Sequence, residues 1–166
     1  MIIIICNVSH INILQCFKKM DFIRVTKEFR FEMAHALLNH DGPCKNIHGH
    51  SYQFSVTLKG KPIKASSNPK TGMVVDFSDI KKLLIDEIIM PFDHALVLNK
   101  TTAKKVYSGL QDQKLILVDF QPTCENLLIH FVKKLKKVLP TDTMLHHLML
   151  RETSTSYAEW YAEDNK

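Results

Sequence analysis

Between residues 44 and 50 the chain reads Cys-Lys-Asn-Ile-His-Gly-His, which places a thiol and two imidazoles close together. His48 and His50 stand two positions apart, so on an extended strand both rings leave the same face. Gly49 between them lets another group approach the backbone closely. Two neutral imidazoles on one face suit a divalent metal, and histidine is the commonest zinc ligand near neutral pH. Two ligands do not hold a zinc ion, so a third has to come from elsewhere in the chain.

The flanking segments show where. Phe29, Phe31, Met33 and His35 alternate with Arg30, Glu32 and Ala34, the pattern of a strand with one buried face. Residues 39–43 are dense in turn formers, so the chain reverses there, with Cys44 in or just after the turn. A second strand follows from about His48 to Lys59, with Tyr52, Phe54, Val56 and Leu58 on the parity of His48 and His50. Antiparallel pairing would bring His35 beside His48 and His50. Three histidines with an open fourth position is the arrangement of a catalytic zinc, whereas Cys44 as fourth ligand would close a structural site.

Residues 60–72 read as a polar loop. Asp76 is a good N-cap for a helix with apolar positions at Phe77, Ile80, Leu83, Leu84 and Ile88, ended by Pro91. Asp93 and His94 are a second chemical pair, in which a carboxylate could orient an imidazole for proton transfer. On a strand, however, neighbouring side chains point opposite ways. Residues 100–114 read as a polar loop and Leu115–Phe120 as a short strand. Thr123 caps a second helix with apolar positions at Leu128, Phe131, Val132, Leu135 and Leu139, and Glu125 in its first turn suits the helix dipole. Residues 144–153 and 155–161 read as two last strands. Glu152 closes the first beside a Thr/Ser-rich turn, where a lone Glu is ordinarily solvated. The order predicts an α+β layer, an antiparallel four-stranded sheet with two helices on one face.

The 166 residues, 45% apolar and 23% charged, fit one globular domain, residues 21–166. Cys6, Cys16, Cys44 and Cys124 have no C-x-x-C spacing, which excludes a zinc ribbon or a disulfide framework and points to a reducing, cytoplasmic setting. The net charge is +5 and the pI about 9.0, but the lysines fall in scattered pairs without interleaved aromatics, so no nucleic-acid partner is expected. The apolar start, MIIII, is too short to span a membrane and lacks the features of a signal peptide. Residues 1–20 read as an extension or an over-called start.

Six stretches, FRFEMAHAL, CKNIHGHSY, GMVVDFSDIK, FDHALVLN, PTCENL and RETSTSY, together resemble the 6-pyruvoyltetrahydropterin and 6-carboxytetrahydropterin synthase family over residues 22–163. The resemblance implies the tunnelling fold, with subunits joining their sheets into a barrel, and a homohexamer of two stacked trimers with active sites at subunit interfaces. It implies zinc on His35, His48 and His50, and Cys44 as general acid/base with Asp93 and His94 completing a proton relay. It implies a pterin anchored by Glu152 with Thr123 and Glu125. The substrate implied is dihydroneopterin triphosphate, whose charge suits a basic chain. The three residues between Cys44 and His48 resemble the bacterial carboxytetrahydropterin synthases of the deazapurine (queuosine) route, which release acetaldehyde and triphosphate. The runner-up is a 6-pyruvoyltetrahydropterin synthase, which eliminates triphosphate and keeps the side chain. A rival of another class is a non-catalytic module stabilised by zinc, with Cys44 as the fourth ligand.

Overall fold

The computed structural model describes residues 21–101, 103, 109–110 and 112–166. The predicted extension, residues 1–20, and the middle of the predicted loop 100–114 lie outside the described residues. Strands β1 (Ile23–His35) and β2 (His48–Gly60) pair antiparallel over their full length, from Ile23 opposite Gly60 to His35 opposite His48. Their alternation sets this register. Phe31, Met33, Tyr52, Phe54, Val56 and Leu58 are all buried on one face, while Glu28, Arg30 and Gln53 alternate with them toward the other. A slip of one residue would turn the whole apolar set outward.

Strands β3 (Ala95–Asn99), β4 (Leu115–Val118), β5 (Met144–Arg151) and β6 (Tyr157–Tyr161) complete a six-stranded sheet in the order β4-β3-β1-β2-β5-β6. The expected four-stranded antiparallel sheet is thereby corrected. β3 runs parallel to β1, and β4 parallel to β3. The helical segment that follows β2 brings the chain to the Met33–His35 end of β1, where β3 starts and runs in the direction of β1, opposite to β2. The near-continuous apolar run Ala95–Leu98 is itself the signature of a strand covered on both faces. Ala36, Leu98 and Ala103 form a second, smaller core on its far side.

Helix α1 (Phe77–Leu84) starts where the Asp76 carboxylate accepts from the Ser78 N–H at 2.8 Å. It buries Ile80 and Leu84, then Ile88 and Phe92, each four residues on. At 3.6 residues per turn, four-residue steps drift around the axis by about 40° each. A π-helical turn at Ile85–Ile89 takes up that drift, and helical residues continue through Met90–Phe92. Pro91 therefore sits inside the last turn rather than ending the helix before it. Its missing N–H would leave the Glu87 carbonyl unpaired, and Lys134 Nζ donates there instead at 2.8 Å. Phe77, expected in the core, is half exposed at the first helical position.

Helix α2 (Cys124–Val138) is capped by Thr123 and buries Cys124, Leu127, Leu128, Phe131, Val132 and Leu135. Both helices contribute to one core against the apolar face of the sheet, where Phe131 meets Phe54 and Phe92 edge-on. The Lys136 ammonium lies over the Trp160 ring, so this lysine covers apolar surface rather than joining a basic stripe. Among the described residues no helix is long and apolar enough to cross a membrane.

Candidate active site

His35 ends β1 and His48 begins β2, and the register sets them directly opposite, with His50 across from Met33. Cross-strand neighbours on one face lie close enough for their rings to touch. The ring centroids of His35 and His48 are 4.5 Å apart, and His50 stands edge-on to both at 5.2 Å. One ligating nitrogen from each ring falls within 4.8 Å of the others.

Two of the rings are oriented from behind. His35 Nδ1 donates to the Pro122 carbonyl at 2.7 Å, and His48 Nδ1 to the Asn46 carbonyl at 2.8 Å. Bonding Nδ1–H to a carbonyl leaves Nε2 with its lone pair free, the tautomer a metal ligand needs. His35 is 2% exposed, and its Nε2 is the one buried side-chain nitrogen or oxygen without a hydrogen-bond partner among the described residues. Burial holds the His35 pKa below the ordinary imidazole value, which keeps that lone pair available. An orphaned buried acceptor costs about 1–3 kcal/mol, and a cation on the three nitrogens would offset it. These residues fit a zinc ion.

Glu152, at the end of β5, lies beside this group, its Oε1 3.9 Å from His35 Nε2. It is not the solvated carboxylate expected there. Fully buried Tyr52, the next residue of β2 on the histidine face, donates its hydroxyl to Glu152 Oε1 at 2.9 Å. Burial and the Glu152 charge push the Tyr52 phenol up, so it stays a donor. Cys124 is also nearby. Its buried thiol donates to the Leu150 carbonyl and is pushed up to about 12 by burial and then by Glu152, which leaves it inert at neutral pH.

The other predicted ligand-type residues are not part of the three-histidine group. Cys44 lies half-buried in the turn Pro43–Lys45 and does not join the three-histidine group, so the closed four-ligand site finds no support here. Asp93 and His94 are brought together, and not by a strand. His94 has φ +57°, a left-handed conformation that costs strain outside glycine. That kink folds the imidazole back, so the expectation of opposed side chains is corrected: His94 Nδ1 lies 3.0 Å from Asp93 Oδ1. The same carboxylate accepts from the Glu32 N–H at 2.9 Å, which holds its pKa below the usual carboxylate range, with the His94 hydrogen bond next. His94 lines a cleft of about 580 Å³ with Glu32, Gly49, His50, Ser51 and Lys114. The Thr123 hydroxyl accepts from the Asn126 N–H at 3.3 Å as a helix cap, and Glu125 is exposed in the first turn.

Residues 24–163 match the family described as 6-pyruvoyl tetrahydropterin synthase. The chain belongs to that family. A Haemophilus influenzae protein named 6-carboxy-5,6,7,8-tetrahydropterin synthase is 36% identical over 141 residues, covering 82% of this chain and 97% of that protein. A Rickettsia typhi protein of the same name is 32% identical over 144 residues, covering 82% and 99%. The structure of the Caenorhabditis elegans 6-pyruvoyl tetrahydropterin synthase superposes with a TM-score of 0.61 at 24% identity, over 86% of this chain and 97% of that one, and so shares its fold.

Tyr52 has the sequence pattern of apolar core, and its polar role beside Glu152 shows only in its parity with His48 and His50, which puts it on their face. The carbonyls of Pro122 and Asn46 that orient His35 and His48 leave no side-chain signal.

Proposed function

We propose that this chain is a zinc-dependent carbon–carbon lyase. It converts 7,8-dihydroneopterin triphosphate and water to 6-carboxy-5,6,7,8-tetrahydropterin, acetaldehyde and triphosphate, in the cytoplasm, as a step toward queuosine-type deazapurines. The names of the relatives and the three-residue spacing between Cys44 and His48 support the reaction. The observation that carries it is the juxtaposition of three convergent imidazoles with the braced Glu152 carboxylate.

His35, His48 and His50 would hold the zinc, which supplies Lewis acidity toward the side-chain hydroxyls of the substrate. Glu152 would accept hydrogen bonds from the guanidine-like edge of the pterin, with Thr123 and Glu125 completing that subsite. Cys44 would take a proton from the substrate side chain as thiolate and return it as thiol. Asp93 holds His94 by Nδ1, which leaves Nε2 to face solvent as the proton-transferring nitrogen. As the family resemblance implies, we assign the complete site to an interface between copies, in a homohexamer whose sheets join into a barrel. The domain is residues 21–166, with residues 1–20 dispensable.

Single substitutions test the roles. His48→Ala should lose bound zinc and turnover together. Cys44→Ala should keep zinc and lose turnover, and loss of metal from Cys44→Ala would instead favour the structural zinc module.

A further inference from the structure

The Tyr52 side chain is fully buried, and its ring is fixed on three sides. It stacks on Phe31 at 5.3 Å and 12°, and stands edge-on to His50 at 5.5 Å and to His35 at 6.3 Å. Its hydroxyl makes a hydrogen bond across 100 residues of sequence to Glu152 Oε1 at 2.9 Å. The Glu152 backbone is tied separately, its N–H donating to the Ser156 carbonyl at 3.1 Å. A glutamate at a strand end has three side-chain torsions to restrict, and the tyrosine hydroxyl is what removes that freedom.

We infer that Tyr52 is a positioning residue for ligand recognition: by engaging Glu152 Oε1 it sets the carboxylate plane and leaves Oε2 for a ligand presenting a fork of N–H donors. The inference rests on the pterin reading above and adds to it. A carboxylate held by one oxygen presents the other in a fixed direction, so the ordering cost of binding is met before the ligand arrives. A phenylalanine fills the same space but lets the carboxylate swing, so packing and the metal group are preserved while recognition weakens.

The test is a double-mutant cycle on the zinc-loaded full chain. The probe is 7,8-dihydroneopterin, which has the pterin edge but no triphosphate to eliminate. Its Kd is measured for wild type, Tyr52→Phe, Glu152→Ala and the double variant, with zinc per chain determined for each. Tyr52→Phe should retain wild-type zinc and bind the probe roughly tenfold more weakly, the effect of losing one hydrogen bond to a charged group. In the Glu152→Ala background, which has no oxygen for the hydroxyl to hold, the same substitution should change Kd by less than about twofold, because a packing defect would act in either background but a positioning effect acts only through the carboxylate. Wild-type affinity in Tyr52→Phe, or an undiminished loss in the Glu152→Ala background, overturns the inference and leaves the pterin reading standing. A wild-type protein that does not bind the probe overturns the pterin reading and the inference with it.

Discussion

Stripping the metal from the protein should lower its thermal stability by about 10 °C, and the amount follows from the site. Three nitrogens lie within 4.8 Å of one another and two of their rings are pre-oriented, so zinc would bind the folded chain in preference to the unfolded one. At free zinc about a thousandfold above Kd, such binding contributes about 4 kcal/mol. The unpaired Nε2 of His35 accounts for about 1–3 kcal/mol of what the metal relieves. For a chain of this size one kcal/mol moves Tm by roughly 2–4 °C. The assay is a melting curve followed by circular dichroism, in chelator and in buffered zinc. His48→Ala should show no zinc-dependent increment, because two imidazoles do not hold the ion. The increment should also fade at acid pH, because imidazole binds a metal only in its neutral form, and burial lowers the His35 pKa and so favours that form there. Equal melting with and without zinc, or an increment that survives in His48→Ala, would refute the ligand assignment.

Two further outcomes follow from the charge and burial around the site. Asp93 has a depressed folded pKa, caused first by the Glu32 N–H, so its stabilisation is present above the unfolded carboxyl pKa and is lost as pH falls through the folded one. The stability difference between wild type and Asp93→Asn in urea melts should therefore be constant near neutrality and close at acid pH; a difference independent of pH contradicts the bond. In the native protein at pH 8, iodoacetamide should label half-buried Cys44 and spare Cys124, buried with its thiol near 12. Peptide mapping reads this directly, and equal labelling would refute the assigned burial.

What could be read from the sequence was whatever periodicity encodes. The period-two parity of His35, His48 and His50 specified their shared face, and the caps at Asp76 and Thr123 marked both helix starts. Parallel β3 was not legible because its partner, β1, is far away in sequence, and local pattern does not choose a distant partner. Asp93 and His94 were legible as a chemical pair but their contact was not, because it comes from a left-handed backbone at a residue that rarely adopts one. Lys134 beneath Pro91 and Tyr52 beneath Glu152 are partners far apart in sequence, set only by packing. Spacing alone does not announce them.

The measurement that bears most directly on the proposed reaction is mass-spectrometric product analysis of the zinc-loaded chain incubated with 7,8-dihydroneopterin triphosphate. The expected products are 6-carboxytetrahydropterin, acetaldehyde and triphosphate. A 6-pyruvoyl product, or unchanged substrate with zinc bound, would contradict the proposed reaction.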